Sequence, residues 1–335
     1  MPTGIKADHS RFFKMDYVGL AFLTIAMGGM QIMLDKGEED AWFASNFIRF
    51  FAFLFIGGMI ALVWWEWRQK DPLINLKVFR FKNFAICCFL MMLVGGVLNA
   101  NTVLQPQFMQ HLLGWTATTA GLALTAGGVT LIIVMPLAGI ATSKISARYL
   151  TAFGFILFII TFRIAAEVTT LDMTFAQASW LRVVQMIPLP FCFISITTAA
   201  YVGMPKEDSN QVAGLINFAR NIGGSVLIAV TNAQVTSRSM WHEQHLQGAM
   251  GPGSIGYQQQ LSGLTSFFSR GFGGPNGAGM ALATIYNQLN QQAGVQGYQD
   301  VYMELSYMSI FLVLLAFMLS KNKPGAAPGG GGGMH

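Results

Sequence analysis

Residues 214–233 form an apolar stretch that is long enough to cross a bilayer, and Arg220 lies near its middle. Because a helix rises about 1.5 Å per residue, this arginine lies well inside the hydrocarbon layer. Placing it there costs roughly 2.5–3.5 kcal/mol, so such a residue faces protein or water rather than lipid. Helical spacing puts Asn217 and Asn221 on one face with Gly214, Gly224 and Ser225. The stretch therefore predicts one helix of a multi-span membrane protein.

Two interpretations of this polar face remain open. Arg220 either holds neighbouring helices together by bonding their backbone carbonyls, or it lines a pathway for a solute together with Asn217 and Asn221. Asn101 and Gln105 lie one turn apart in the third apolar stretch, just before Pro106, which should kink or open that helix. We predict that the cavity candidates are Asn101, Gln105, Gln185, Asn217, Arg220 and Asn221, and that they share one water-filled space.

Arg182 and Gln185 both belong to the sixth apolar stretch. Arg182 is expected near the membrane boundary, where a long side chain can extend to the headgroups. Gln185 is therefore the stronger cavity candidate of the two.

The composition supports a membrane protein. Only 10% of the residues are charged, whereas a soluble domain has about 25%. The net charge of +5 could suggest a nucleic-acid partner, but the basic residues lie in short loops between apolar runs. This distribution is typical of cytoplasmic loops, so we expect the lipid bilayer as a partner and no nucleic acid.

The sequence predicts an all-α, polytopic membrane protein with eight transmembrane helices. The expected spans are 16–35, 47–66, 84–108, 117–141, 149–168, 180–203, 211–234 and 303–320. Most of the 20 Lys and Arg residues fall in loops on one side, so the positive-inside rule predicts that both termini are cytoplasmic. Residues 1–15 are a cytoplasmic N-terminus without a cleavage site, and 67–83 are a basic cytoplasmic loop. The plasma (inner) membrane is the expected location.

The segment 235–302 is predicted to be one long extracytoplasmic loop. It is rich in Gly and Gln, and it contains helix-like pieces, such as 281–293, that would lie along the outer surface. The tail 321–335 is Gly-rich and is expected to be disordered.

The sequence favours neither an enzyme nor a metal protein. The spans contain no Ser-His-Asp set, no phosphate-binding Gly-rich loop and no carboxylate pair, and we expect no cofactor. His242 and His245 have a usable spacing for a metal but lack a third ligand. None of the 15 acidic residues falls in the middle of a predicted span, although proton-driven transport usually requires a titratable group there.

Several stretches carry a family resemblance. They are Asp16-Tyr-Val-Gly-Leu20, Gln31-Ile-Met-Leu-Asp-Lys-Gly37, Pro72-Leu-Ile-Asn-Leu-Lys-Val-Phe-Arg80, Gln107-Phe-Met-Gln-His-Leu-Leu-Gly-Trp115, Pro136-Leu-Ala-Gly139 and Gly214-Leu-Ile-Asn-Phe-Ala-Arg-Asn-Ile-Gly-Gly-Ser225. In this order they resemble the last eight spans of the EmrB/QacA-type drug:proton antiporters, which are fourteen-span members of the major facilitator superfamily. The resemblance covers residues 16–320.

This resemblance implies two linker helices within 16–66 and a C-terminal six-helix transporter bundle within 84–320, built from two inverted three-span repeats. It implies multidrug or amphiphile efflux by proton antiport, with a separate six-span N-terminal half, or a second copy of this chain, as partner. The alternative is a non-transporting scaffold or remnant. The family's conformational loop corresponds to Gly139, Lys144 and Arg148, but its acidic and second glycine positions are Ser143 and Ser146 here, which would weaken a charge-based latch.

The predicted topology can be tested by labelling single cysteines from outside the cell. In a background without the three native cysteines, Ser254→Cys should react with a membrane-impermeant maleimide and Ser146→Cys should not, because they lie on opposite sides. Labelling in the reverse pattern would overturn the topology.

Overall fold

The computed structural model describes residues 16–69, 76–205, 208–249, 255–272 and 277–320, and every regular element in these ranges is helical. The α-helices are α1 (Tyr17–Lys36), α2 (Asn46–Arg68), α3 (Lys82–His111), α4 (Ala117–Lys144), α5 (Ala147–Val168), α6 (Phe175–Met186), α7 (Pro188–Ala200), α8 (Ser209–Ala249), α9 (Ile255–Phe272) and α10 (Gly277–Ala316). The predictions for 1–15, for 321–335 and for part of the basic loop lie outside the described residues.

In the described part of the chain, eight helical segments are long and apolar enough to span a bilayer when α6 and α7 are counted together, which confirms the predicted fold class. The sixth predicted span corresponds to Phe175–Ala200, within which α6 and α7 are separated at Ile187. Pro188 lacks a backbone N–H donor and begins α7 at a position that needs none, so the helical bonding restarts there. Pro106, in contrast, lies inside the continuous α3.

The crossing of α3 and α8 brings two backbones into direct contact. A Cβ atom on Gly223 would overlap the carbonyl group of Met92, and one on Gly95 would overlap the backbone of Arg220. Gly96 and Gly224 lie in the same crossing, against Leu227 and Asn99. Small residues allow this approach, which gives van der Waals contact along both helices. Gly223 and Gly224 therefore serve the close packing of α3 and α8.

The apolar core is formed mainly by α3, α5, α6, α7, α8 and α10. Its fully buried large side chains include Phe84, Leu90, Phe155 and Phe162, and Phe162 stacks against Tyr302 of α10 with ring centroids 6.3 Å apart. Helix α4 has a narrow buried face and exposes large apolar side chains elsewhere, which is the pattern of a lipid-facing helix.

Helices α1 and α2 form a separate hairpin beside this bundle. They cross at Gly29 and Gly58, where an added Cβ would lie within 3.0 Å of the backbone of the opposite helix. A hydrogen bond of 2.6 Å from Ser225 of α8 to Gln31 of α1 joins the hairpin to the bundle.

The segment 235–302 was predicted as one long loop with helix-like pieces such as 281–293; its described part is largely helical, and its extracytoplasmic side stays a prediction. Helix α8 continues to Ala249, α9 covers Ile255–Phe272, and α10 already begins at Gly277. The Gly- and Gln-rich composition lowers hydropathy and helix propensity, but tertiary packing supplies the missing stability. Arg238 pairs with Glu304, and His242 lies 2.8 Å from Asp300, so α8 and α10 are joined beyond the apolar part of each helix.

We predict that Gly223→Ala destabilises the protein because the new methyl group would overlap the backbone of Met92. Overpacking of this kind costs about 1–3 kcal/mol, which should lower the unfolding temperature of the purified chain in detergent by several degrees. The matched control is Gly128→Ala, since nothing lies within 4 Å of a Cβ at Gly128. Equal unfolding temperatures for the two variants would contradict the proposed role of the crossing.

Candidate functional site

A buried arginine lies at the centre of a polar cluster between α3, α4 and α6. Arg182 is only 6% exposed, and its Nη2 donates to Thr102 Oγ1 at 3.2 Å and its Nη1 to the carbonyl of Asn101 at 3.5 Å. Gly127 of α4 leaves room for the arginine stem, because a Cβ there would lie 2.8 Å from Arg182 Cγ. Both hydrogen bonds are at the long end of the usual range, so they compensate the buried charge only weakly.

Four further side chains complete this buried polar cluster. Asn101, Gln105 and Gln185 are 1–2% exposed, and Gln105 Nε2 donates to the carbonyl of Ala178 at 3.0 Å. Tyr302 of α10 lies beside Gln185 and Arg182. The three predicted residues of α3 and α6 are therefore brought together inside the bundle.

The buried polar cluster contains several polar atoms that no protein group satisfies. Among the described residues they are Asn101 Oδ1, Gln105 Oε1 and Arg182 Nε. Leaving a buried donor or acceptor unsatisfied costs about 1–3 kcal/mol, and native interiors usually avoid this cost with water or another polar partner. Since the group includes donors and acceptors around a cation, it can hold water molecules or a polar ligand group.

The predicted residues of α8 lie elsewhere. Asn217 and Asn221 are exposed, and Asn217 Nδ2 donates to the carbonyl of Ala213 in its own helix. Arg220 is half-buried, and its guanidinium lies 5.6 Å from the ring centroid of Phe193 on α7, which is a cation–π distance. The backbone of Arg220 rests on Gly95, six residues or about 9 Å along α3 from Asn101. One aqueous space shared by both groups stays a prediction.

No family model matches the chain. Among curated proteins, it is similar to the multidrug export protein EmrB of Escherichia coli K12, with 32% identity over 324 residues that cover 96% of this chain and 61% of EmrB. The chain is therefore similar to EmrB-type multidrug export proteins over almost its whole length.

Other curated relatives are also similar to the chain. EmrB of Haemophilus influenzae is 32% identical over 71% of this chain and 47% of its own length. The fatty acid resistance protein FarB of Neisseria gonorrhoeae is 27% identical over 95% of this chain and 60% of its own length. The chain thus spans about three fifths or less of the length of these curated relatives.

One solved structure also resembles the chain. It is a bacterial homologue of the human lysosomal transporter Spinster in an inward-facing and occupied conformation, with 15% identity, a TM-score of 0.47, and coverage of 91% of this chain and 67% of that one. This similarity is too weak to carry an argument about the family of the chain.

The expected location of Arg182 was wrong. It was expected to extend to the headgroups, but it is buried in the bundle. The available signal was the capping box formed by Thr174 and Gln177, in which each side chain bonds the backbone of the other. This motif begins α6 at Phe175, five residues before the predicted span, and so places Arg182 two turns into the helix.

The three residues that were predicted to belong to a conformational loop have different surroundings. Gly139 and Lys144 are exposed near the end of α4, and a Cβ on Gly139 would touch nothing within 4 Å. Arg148 donates from Nε to the carbonyl of Leu319 at 2.8 Å and from Nη2 to the same oxygen. It therefore joins the start of α5 to the chain just after α10, and a role as a latch stays a prediction.

We predict that Arg182→Met leaves the protein as stable as before or stabilises it by about 1 kcal/mol or more. The substitution removes a poorly compensated buried charge and keeps the volume of the stem. Thermal unfolding of the purified chain measures this, with Arg163→Met on the exposed face of α5 as the matched control. A large drop for Arg182→Met alone would show that the buried polar cluster is a satisfied structural network.

Proposed function

We propose that this chain is the C-terminal part of a multidrug efflux transporter, which exports amphiphilic small molecules by proton antiport. The observation that carries the proposal is the match of 96% of the chain to EmrB at 32% identity. The eight apolar helices are those of an integral membrane protein, and the loop charges favour the plasma (inner) membrane with both termini cytoplasmic.

The exposed polar face of α8 supports a protein partner. Asn217 and Asn221 are exposed within the apolar part of a membrane-spanning helix, next to the half-buried Arg220. Polar side chains in a span almost always face protein or water, so another bundle should cover this face. A separate six-span N-terminal half fits best, because the relatives are longer than the stretch matched here and alternating access uses two bundles. A second copy of this chain is the weaker alternative.

The relatives suggest the breadth of the substrate class. Their names include multidrug export, resistance to fatty acids and resistance to lincomycin. These compounds share an apolar part and a polar group, so we infer that the substrates are amphiphiles. Adaptable Met and Phe side chains, 20 and 27 in this chain, suit such a range.

Proton coupling would depend on the partner. The acidic residues of the predicted spans lie close to the ends of those spans, as Asp35 and Glu167 do. A group that carries a proton through the membrane usually lies at depth. We therefore infer that the N-terminal half supplies the coupling carboxylate.

The expected result in liposomes is that the chain alone gives no pH-gradient-driven flux of an amphiphilic dye, and that co-reconstitution with a six-span N-terminal half from an EmrB-type relative restores it. In the assembled protein, Arg220→Leu should reduce flux by about tenfold or more and Arg220→Lys much less, since a cavity needs the charge rather than the planar fork. Coupled flux by the chain alone would refute the inference that the N-terminal half supplies the coupling carboxylate. Unchanged flux in Arg220→Leu would make that arginine structural.

A further inference from the structure

A crevice separates the α1–α2 hairpin from the six-helix bundle. It has a volume of about 410 Å³, and its described lining comes mainly from the last part of α2 and the first parts of α3 and α8. Most of the lining side chains are apolar, and they include Met59, Leu62, Ala85, Met92, Leu215 and Ile222. The volume is within the usual range of small-molecule sites, about 300–1,000 Å³.

The crevice extends through about one leaflet of the membrane. Helix α2 ends at Arg68 and α3 begins at Lys82, so both termini mark the mouth of the crevice. Met92, which lies deep in the crevice, is ten residues or about 15 Å along α3 from Lys82. This depth is about half of the 30 Å of a hydrocarbon layer.

The deep end of the crevice lies next to a contact between the hairpin and the bundle. Ser225 is one turn beyond Ile222 on α8, and its hydroxyl donates to Gln31 of α1. The two parts of the protein are therefore joined just past the deep end, while the crevice keeps them apart nearer the mouth.

The mouth of the crevice has exposed positive charge. In the described part of the segment 67–82, the charged residues are Arg68, Lys77, Arg80 and Lys82, and all of them are exposed. Arg80 directly follows Phe79, which lines the crevice. Lys82 lies three residues before Ala85, so it is on the same face of α3 as the lining. Basic residues at the mouth of a gap between membrane helices attract anionic lipid headgroups.

Glu66 is the acidic residue of the described lining, and its carboxylate lies against α1. It is 5% exposed, and its Oε1 lies 2.8 Å from the position that a Cβ on Gly19 would take. Asp16 Oδ2 lies 2.7 Å from the same point. Glu66 also interacts with another group of the protein, so the exposed charge at the mouth remains positive.

We propose that this crevice binds one anionic glycerophospholipid, with an acyl chain between α2, α3 and α8 and the phosphate beside Arg80 and Lys82. The apolar lining and the depth of one leaflet fit the chain, and the exposed basic residues fit the headgroup. The bound lipid fills the gap between the hairpin and the bundle. The site is separate from the buried polar cluster and from the exposed face of α8, and binding there requires neither transport nor the N-terminal half.

Native mass spectrometry of the purified full chain in detergent tests this proposal. The delipidated chain is titrated with dioleoylphosphatidylglycerol or with dioleoylphosphatidylethanolamine, which have the same acyl chains and differ in net charge. We expect one phosphatidylglycerol per chain to bind about tenfold or more tightly than phosphatidylethanolamine. Glycerol 3-phosphate, which has the phosphate but no acyl chains, should not displace it at the same concentration.

The variants locate the site. Arg80→Gln combined with Lys82→Gln should weaken phosphatidylglycerol binding about tenfold or more, because two charges beside the phosphate are lost. Lys144→Gln, which removes an exposed charge at the end of α4, is the matched control and should change nothing. Ala219→Trp fills the crevice from α8 and should abolish the tight binding even if the double variant does not fold.

Three results would overturn the proposal. They are equal affinity for the two lipids, displacement of phosphatidylglycerol by glycerol 3-phosphate, and tight binding that survives both the double variant and Ala219→Trp in folded protein. Because the measurement uses this chain alone and no gradient, its failure is distinct from a failure of the proposed efflux.

Discussion

The direct backbone contact between α3 and α8 determines where the polar groups of this bundle lie. With Gly95 and Gly223 in the crossing, no side chain separates the two helices there, so Arg220 has its backbone against α3 and its guanidinium beside α7. Helix α3 then turns another face toward α6, and Asn101 and Gln105 lie on that face. A larger residue at the crossing would shift α3 relative to α8. Arg220 and the pair Asn101 and Gln105 would then move together, because the position of each depends on how α3 packs.

Three polar systems thus occupy one apolar protein without sharing side chains. The buried polar cluster is closed inside the bundle, the face of α8 is open, and the carboxylates of Glu66 and Asp16 lie at the edge of the hairpin. The desolvation cost of polar and charged groups gives two of these locations a physical reason: the buried polar cluster needs internal polar partners, and the face of α8 needs a covering bundle.

Hydropathy was enough to predict the eight spans and the all-α class, because about 20 apolar residues in a row have few other uses. The resemblance to EmrB-type proteins could be recognised from short stretches such as 214–225. The burial of Arg182 and the extension of α8 to Ala249 were missed, since the first depends on where α6 begins and the second on pairs such as Arg238 with Glu304 that are distant in sequence. The nearness of Asp16 to Glu66 follows only from the pairing of α1 with α2, to which no local pattern points.

Helices α8 and α10 are each about 60 Å long, roughly twice the thickness of the hydrocarbon layer. About half of each helix therefore extends beyond the membrane. The pairs Arg238–Glu304 and His242–Asp300 join these two extended segments. A tilt of about 5° at the glycine crossing would move the far end by roughly 3 Å, given the helix rise. Small rearrangements inside the bundle are thus converted into a displacement that can be measured by a pair of probes on the outer helices.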